Sequence, residues 1–344
     1  MKFDSSTLKS LCLLRLSAIG DVCHAVAMVQ AIQREYPNLA ITWVIGKVEY
    51  QLVKNLPGIN FVIFDKSQGW RSFWQLKKAL AGQKFDVLLH MQVALRATVA
   101  SLMIKAKWRV GFDKQRAKEG QWLVTNHAIE PQTEPHVLEG FMGFAKAIGV
   151  KNTQVDWQIP VSDADNDFAN KLINNDKVLV ICPAASKAER NWLPQRYAEV
   201  ADHAQTLGYR VMLCGGPTEL ERTLAQSIIA QAKGNIEVMV GKTTLTQLLA
   251  LLNRATLVIA PDTGPLHMAV TQKTPVIGLY AHSNPGRTGP FLYRENTISV
   301  YHEVIASQVE GEIPWGKRAK GEHLMELVKT TDVIECFNRI SSLQ

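Results

Sequence analysis

The sequence predicts an α/β protein with two doubly wound domains that face each other across a cleft. In both halves of the chain, short apolar and β-branched runs alternate with amphipathic runs of helical length. The apolar runs are nearly continuous, which is typical of parallel strands buried on both faces. The chain has 344 residues, more than one compact core usually holds. These three observations together indicate two domains of similar design.

Residues 1–160 are predicted to form the first domain, with parallel βαβ units. The expected strands are 10–16, 40–46, 60–65 and 85–91, and the expected helices are 22–36, 72–83 and 95–106. A strand followed by a helix and another strand is typical of a parallel sheet. A polar stretch that contains Pro160 and precedes the next apolar strand marks the domain boundary.

Residues 161–344 repeat the alternation and are predicted to form the second domain. The expected strands are 177–183, 209–216, 236–241, 255–261 and 274–280, and the expected helices are 194–208, 218–233, 244–253 and 264–272. A long terminal helix is expected from about Glu322 to Ser341, with the first domain as one possible packing partner. The segment 302–323 matches no motif. Sheets of this kind bind ligands beyond the carboxyl ends of their strands.

The composition is that of a globular protein without a membrane span. Hydrophobic residues make up 47% of the chain and charged residues 20%, which excludes extended disorder and fibrous repeats. The first apolar run is short and is interrupted by Arg15, which argues against a signal peptide and favours a cytoplasmic protein. The five cysteines are scattered and lack metal spacing, so buried free thiols are expected.

The net charge of +7 is concentrated in the first half. Residues 1–160 contain 20 Lys/Arg and 12 Asp/Glu, whereas residues 161–344 contain 18 and 19. Within 66–118 the numbers are 12 and 2. Such a segment is either a solvated basic face or a surface for a polyanion or an anionic membrane. No helix-turn-helix, zinc-finger or RNA-binding motif accompanies it, so nucleic acid is not an expected partner.

The first motif with residues suited to catalysis is LLRLSAIGDVCHAV, in which a strand, a small-residue turn and a helix follow one another. Asp21 is expected at the N-cap of this helix. Asp is a preferred cap residue, so a structural role alone would explain its position. The alternative is that Asp21 is a general base, while the amides from Ser17 to Gly20 bind an anion. The motif lacks a complete G-x-G-x-x-G, which argues against dinucleotide binding.

The second motif is IAPDTGPLHMAV, in which a strand passes directly into a helix. The backbone N–H groups after Asp262, Thr263 and Gly264 are expected to point at a ligand beyond the strand, and a diphosphate suits this place. Pro265 fits the first helical turn because it has no N–H to lose. His267 is expected to face inward, either as a core residue or as part of this site.

Two further loops follow strands of the second domain. In CPAASKAERNWLP, Lys187 and Arg190 could neutralise a leaving diphosphate without a metal ion, or they belong to a solvated loop. In CGGPTELER, Glu219 or Glu221 could accept hydrogen bonds from sugar hydroxyls, or both belong to a capped helical turn. No metal-ligand spacing, P-loop or G-x-S-x-G occurs, so no metal or other cofactor is expected.

Taken together, these motifs resemble the ADP-heptose:lipopolysaccharide heptosyltransferases, glycosyltransferase family 9. The resemblance covers nearly the whole chain and is strongest at LLRLSAIGDVCHAV and PDTGPLHMAVTQKTPVIGLYAHSNPGRTGP. It implies a GT-B fold with two Rossmann-like domains, the acceptor mainly in the first and the donor mainly in the second. It also implies inverting, metal-independent transfer of L-glycero-D-manno-heptose from ADP-heptose to the Kdo region of the lipopolysaccharide inner core.

The resemblance also implies a role for each candidate residue. Asp21 matches the catalytic base, and the expected acceptor contacts are Ser17, Gly20, Arg71 and Arg116. The expected donor contacts are Lys187, Arg190, Glu219 or Glu221, Asp262, Thr263, Gly264 and His267. Arg190 stands where the family usually has Lys, which preserves the charge and changes the hydrogen-bond geometry. A Kdo-lipid A acceptor and an anionic membrane would explain the excess of basic residues in the first half.

The acceptor is the part of this assignment with open alternatives. The first half has LLHMQVALRA where many family members carry an Asp-x-Gln-Gly-like segment. SNPGRTGPF resembles the enzymes that add the first heptose slightly more than those that add the second. Another nucleotide sugar, a GT-B epimerase and a non-catalytic glycolipid-binding protein are the rivals. The expected protein is a monomer, peripheral at the cytosolic face of the inner membrane.

Overall fold

The computed structural model describes residues 8–343 and shows two compact units. The first unit ends at Pro160, and the second begins at Val161. Each unit is built on one six-stranded sheet whose paired strands are parallel. Helices connect the strands in both units. The predicted α/β class, with two Rossmann-like halves, is therefore confirmed.

The first unit alternates strands and helices over its whole length. Its strands are β1 (Ser10–Leu14), β2 (Ala40–Gly46), β3 (Ile59–Phe64), β4 (Phe85–His90), β5 (Ala106–Gly111) and β6 (His127–Ala128). Its helices are α1 (Ile19–Glu35), α2 (Lys47–Val53), α3 (Arg71–Ala79), α4 (Leu95–Ser101), α5 (Gln121–Val124) and α6 (Val137–Ala147), with a 3-10 turn at Lys66–Gln68. The strand order is β3-β2-β1-β4-β5-β6.

The second unit has the same plan. Its strands are β7 (Val178–Ile181), β8 (Arg210–Leu213), β9 (Ile236–Val238), β10 (Leu257–Pro261), β11 (Val276–Tyr280) and β12 (Thr297–Ser299). Its helices are α7 (Asp163–Leu172), α8 (Pro194–Thr206), α9 (Glu219–Ile229), α10 (Leu245–Arg254), α11 (Gly264–Thr271), α12 (Pro285–Thr288), α13 (Tyr301–Ala306) and α14 (Thr330–Ser341). Short 3-10 turns lie at Ala188–Arg190, Arg294–Asn296 and Leu324–Leu327. The strand order is β12-β11-β10-β7-β8-β9.

Both sheets reverse their winding direction next to their first strand. In the first sheet, Leu14 of β1 pairs with Val44 on one side and with His90 on the other. In the second sheet, Ile181 of β7 pairs with Leu213 and with Ile259. The chain therefore leaves the neighbouring strand ends in opposite directions and opens a crevice between them. Open α/β sheets bind their ligands at such switch points.

Each sheet is covered by helices with continuous apolar contacts. In the first unit, Leu76 and Leu80 of the α3 region and Ala97 and Ala100 of α4 share one buried cluster with the sheet. In the second unit, α14 buries Val333, Phe337 and Ile340 in a cluster with α8 and the sheet. Burying an aliphatic or aromatic side chain of this size contributes about 1.5–3 kcal/mol. This packing fixes the strand ends at which the candidate site residues lie.

Several elements differ from the sequence-based expectation. The terminal helix begins at Thr330, not near Glu322, because His323 is left-handed (φ 59°) and Val328 and Lys329 are extended. It packs against α8 and β11 of its own unit. The short strands β5, β6 and β12 and the helices α2, α6 and α7 were not predicted. All five cysteines are buried and free of disulfides, as predicted.

A buried histidine next to the first switch point makes stability depend on pH. His90 ends β4 and is fully buried, and its backbone carbonyl accepts a hydrogen bond of 2.9 Å from Gln121 Nε2. Burial, assisted by the positive charge of Arg109, lowers the pKa of His90 to about 3. The unfolded chain binds a proton here below about pH 6.5, whereas the folded chain does not until about pH 3.

We therefore predict that acid destabilises the native protein through His90. Stability from this residue is fully present above pH 6.5 and is lost progressively as the pH falls towards 3. Between pH 7.5 and 5 the loss is roughly 2 kcal/mol. His90→Gln should remove that part of the pH dependence in urea unfolding, whereas His302→Gln, at an exposed site, should leave it intact. An unchanged pH dependence in His90→Gln would contradict the assignment.

Candidate active site

The loops after β7 and β10 lie side by side because these strands are hydrogen-bonded neighbours. The amide of Cys182 donates to the carbonyl of Ile259 over 2.9 Å at the end of this pair. One step further, the Thr263 hydroxyl donates to the Ala184 carbonyl over 3.3 Å. The two loops predicted to bind the donor are thus joined at the switch point of the second sheet.

The start of α11 leaves backbone N–H groups available to a ligand. Thr263 is the N-cap residue and has extended backbone angles, but its side chain accepts no hydrogen bond from the first turn. The hydroxyl bonds to the neighbouring loop instead. Pro265 lies within the first turn, where its missing N–H costs nothing. Uncapped N–H groups and the helix dipole favour an anion at this position.

Arg190 and Asp262 form the charged centre of this site. Arg190 Nη1 lies 3.7 Å from Asp262 Oδ2, and Nη2 donates to the Ser186 hydroxyl over 2.6 Å. Arg190 is buried, and among residues 8–343 its Nε has no hydrogen-bond partner. The buried Ser283 hydroxyl lies beside the Asp262 carboxylate. The site therefore retains a buried cationic donor for an anionic ligand.

Asp262 is charged at neutral pH despite its burial. Burial raises its pKa, whereas His267, the Ser283 hydroxyl and Arg190 lower it, and the net result is a pKa below the usual value. The Nε2 of His267 lies 3.8 Å from Asp262 Oδ1, and His267 is buried in α11 as predicted. The carboxylate therefore holds Arg190 and His267 around the start of α11.

The other predicted donor contacts are either exposed side chains or a side chain that caps a helix. Lys187 is exposed, and its Nζ lies 3.7 Å from Glu189 Oε1. Glu219 is exposed at the first position of α9. Glu221 accepts from Gly216 N over 2.7 Å and from the Thr218 hydroxyl over 2.6 Å in a capping box. The capping alternative thus describes Glu221, whereas the Glu219 carboxylate remains available to a ligand.

In the first unit, Asp21 lies in the first turn of α1 beside the end of β1. The helix begins at Ile19 with Ala18 as N-cap, so the predicted N-cap position of Asp21 is wrong. Asp21 is the third helical residue, and its Oδ2 accepts from the Ala18 amide over 3.2 Å. The helix starts earlier because this side chain reaches back to cap the turn. One of the amides expected to bind an anion is therefore already engaged.

Arg15 fixes the orientation of the Asp21 carboxylate. Its guanidinium forms an ion pair with Asp21 Oδ2 and a short hydrogen bond to the Met91 carbonyl, and it lies 5.1 Å from the centre of the Phe141 ring. Arg15 is nearly buried, whereas about a third of the Asp21 side chain is exposed. A buried cation thus presents one partly exposed carboxylate at the first switch point.

Ser17 and Gly20 lie in the same turn, and both are partly exposed. The Ser17 hydroxyl accepts from Gln92 Nε2 over 3.2 Å, and Gln92 Oε1 accepts from the Leu16 amide over 2.7 Å. Gln92 follows β4, the strand next to β1. This glutamine therefore links the two loops at the first switch point, as Thr263 does at the second.

The two predicted acceptor arginines have different environments. Arg71 is exposed at the first position of α3. Arg116 is buried, pairs with the Asp113 carboxylate and lies 5.4 Å from the centre of the Phe112 ring. Its side chain borders a cavity of about 530 Å³ between the β5–β6 edge and α6. Arg71 can meet a ligand directly, whereas the charge of Arg116 is already balanced inside the fold.

A match to known proteins decides the family. Residues 73–314 match the model described as glycosyltransferase family 9 (heptosyltransferase), which is well over half of the chain. The lipopolysaccharide core heptosyltransferase OpsX of Haemophilus influenzae is 44% identical over 330 residues, covering 95% of both chains. The chain belongs to glycosyltransferase family 9. The predicted enzyme class, a heptosyltransferase of this family, is confirmed.

Two solved structures have the same fold over nearly their whole length. The family 9 glycosyltransferase from Veillonella parvula has a TM-score of 0.81 and 21% identity, covering 100% of this chain and 99% of that one. The Escherichia coli heptosyltransferase WaaC with ADP has a TM-score of 0.75 and 18% identity, covering 96% and 99%. At these identities the likeness shows the fold alone, and the roles of individual residues stay predictions.

The sequence-based reading of this family 9 chain missed four residues at the candidate site. Gln92 and Ser283 give no sequence signal, because polar residues are ordinary in loops. Arg15 gives a sequence signal, because it is a charged residue that interrupts an apolar strand. Arg318 was overlooked in the unassigned segment, and its positive charge lies close enough to Arg190 to lower the pKa of that guanidinium, after the larger effects of burial and of Asp262.

Within residues 8–343, no group of three or more His, Cys, Asp or Glu side chains is arranged to hold a metal ion. No helix in the same range is both long and apolar enough to cross a membrane.

Proposed function

We propose that this family 9 enzyme is inverting and metal-independent, and that it transfers L-glycero-D-manno-heptose from ADP-heptose to the Kdo region of the lipopolysaccharide inner core. One observation carries the proposal: the similarity to OpsX, a lipopolysaccharide core heptosyltransferase, extends over 95% of both chains. The similar fold of WaaC, solved with ADP, supports an adenine nucleotide as the leaving group.

The second unit supplies the groups that such a donor needs. A diphosphate at the start of α11 would meet uncapped N–H groups and the buried Nε of Arg190. These groups place positive charge where negative charge develops on the departing ADP. They supply the charge stabilisation that other transferases obtain from a metal ion.

The first unit supplies one oriented carboxylate, which suits a single displacement. Asp21 accepts the proton of the acceptor hydroxyl while the hydroxyl oxygen forms a bond to C1 of the heptose. The bond between C1 and the diphosphate oxygen breaks at the same time, and its electron pair leaves with ADP. Attack on the face opposite the leaving group inverts the configuration at C1. Arg15 holds Asp21 in place without contacting the reacting atoms.

The acceptor and the location in the cell follow from the same proposal. Kdo and lipid A carry carboxylates and phosphates, which the exposed Arg71 could bind. We assign the enzyme to the cytosolic face of the inner membrane, where such an acceptor would be presented. The preference for first-heptose transfer and the monomeric state remain predictions.

Replacing the base tests the proposed mechanism. Asp21→Asn preserves an oxygen for the Ala18 amide but cannot accept the proton, so kcat should fall about 10²–10⁴-fold. The KM for ADP-heptose should change little, because the donor contacts lie in the second unit. Asp167→Asn, which removes an exposed carboxylate from α7, is the matched control and should retain full activity. A folded Asp21→Asn enzyme with near-wild-type kcat would show that Asp21 is not the base.

A further inference from the structure

The outer surface of the α3–α4–α5 layer exposes large apolar side chains. Six are at least 59% exposed: Trp70, Trp74, Leu95, Leu102, Trp122 and Leu123. Helices α3 and α4 pack on the same face of the sheet, and α5 contacts α4. Isolated exposed leucines are ordinary, but three exposed tryptophans on one layer of a domain are not.

Helix α3 has two distinct faces. Its inner face buries Ser72 and Leu76. Trp70, Trp74 and Lys78 follow one another at intervals of four residues, and Lys77 lies three residues after Trp74. All four therefore lie on one stripe of the opposite, exposed face. The Nζ of Lys78 lies 5.5 Å from the centre of the Trp74 ring. Aromatic rings thus lie beside ammonium groups on the same exposed stripe.

Basic residues greatly outnumber acidic ones around this stripe. Ten of the twelve basic residues in 66–118 are exposed: Lys66, Arg71, Lys77, Lys78, Lys84, Arg96, Lys105, Lys107, Lys114 and Lys118. The two acids of the segment are used inside the fold. Asp86 accepts from the amides of Lys9 and Ser10, and Asp113 pairs with the buried Arg116. The exposed charge of this segment is therefore entirely positive.

We propose that this tryptophan–lysine surface, formed by Trp70, Trp74, Lys77 and Lys78 with the exposed residues of α4 and α5, docks the enzyme on an anionic lipid bilayer. Tryptophan is favoured at the boundary between lipid head groups and acyl chains, and Lys and Arg bind anionic head groups. The inference rests on the proposed function for the location at the inner membrane, but lipid binding is measured without any sugar substrate, so the two can fail separately.

Charge favours a bilayer over a second copy of the chain. A symmetric dimer through this surface would place lysines opposite lysines, which is unfavourable. A bilayer offers anionic head groups for the lysines and an apolar layer for the exposed rings. No described residue of this surface is a candidate for the chemistry except Arg71, which would then lie next to a lipid-anchored acceptor.

Vesicle sedimentation tests the surface directly. The probes are vesicles of phosphatidylcholine alone and of phosphatidylcholine mixed with phosphatidylglycerol. Wild-type protein should sediment with the anionic vesicles and much less with the neutral ones. Lys77→Gln/Lys78→Gln should weaken anionic binding at least about tenfold, since each basic residue near a membrane contributes about 1 kcal/mol. Lys171→Gln/Lys233→Gln removes the same charge from exposed sites of the second unit and should bind like wild type.

The contribution of the tryptophans to membrane binding is measured separately. Trp70→Ser/Trp74→Ser should weaken vesicle binding, and brominated lipids should quench the fluorescence of wild type more than that of Trp70→Phe/Trp74→Phe. Equal quenching in both proteins would overturn the proposal. So would equal loss of binding in the two lysine variants. A change of oligomeric state or of RNA binding in the surface variants, with vesicle binding intact, would assign the surface to another partner.

A separate observation concerns the segment 302–323, which the sequence left unassigned. Ala319 N donates to the His282 carbonyl over 3.0 Å, and His282 Nδ1 lies 3.2 Å from the Ala319 carbonyl. The Trp315 ring lies 4.4 Å from the guanidinium carbon of Arg287. These contacts bind the segment to the loop after β11, next to Ser283. Arg318 precedes Ala319 in the chain, so its backbone lies beside the loop of His282 and Ser283, and its positive charge reaches Arg190.

We infer that Arg318 is a second cationic contact for the donor diphosphate. Two guanidinium groups close together repel each other unless an anion lies between them. Asp262 is already engaged with Arg190 and His267, so an incoming diphosphate would balance the second charge. This inference rests on the proposed function, because it assumes a diphosphate donor.

Titration calorimetry with ADP separates the possible outcomes. Arg318→Gln should raise the dissociation constant for ADP about fivefold or more, as expected for a charge-assisted hydrogen bond at an exposed site. Lys320→Gln removes a nearby exposed charge and should bind like wild type. Equal affinity of Arg318→Gln and wild type would overturn this inference. Wild-type protein that binds no ADP at all would instead refute the proposed donor.

Discussion

Parallel pairing of β7 with β10 is the constraint on which the proposed donor site depends. The two strands are about eighty residues apart in the chain, yet Ile181 pairs with Ile259. Their pairing joins the loop of Arg190 to the start of α11 through Thr263 and Ala184. The same winding in the first sheet joins the Asp21 turn to Gln92 across β1 and β4. Both sites are therefore consequences of strand order.

Charge at the two switch points is arranged in a common way. At each, a nearly buried arginine faces a carboxylate: Arg15 with Asp21 and Arg190 with Asp262. In the first unit the pair leaves the carboxylate partly exposed, which suits a base. In the second unit Arg190 retains a buried donor without a partner in the described chain, which suits an anion. The same kind of ion pair thus suits a general base in the first unit and an anion-binding site in the second.

The parallel strands were accessible from the sequence because buried parallel strands are nearly continuous apolar runs. Helix starts were less accessible: Asp21 looked like an N-cap, but its carboxylate reaches back from the third position to Ala18. The roles of Gln92, Ser283 and Arg318 could not be predicted, because each depends on contacts between loops that are distant in sequence. Glu219 and Glu221 were indistinguishable until the capping box of Glu221 was seen.

Incubation of the purified enzyme with ADP-heptose, with and without Kdo-lipid A, tests the central claim most directly. The reaction contains EDTA, and both ADP release and the mass of the lipid are followed. The account predicts that the lipid gains one heptose, and that ADP appears in equal amount, when both substrates are present and in no other case. ADP release without acceptor, an unchanged lipid mass or a requirement for a divalent cation would contradict it.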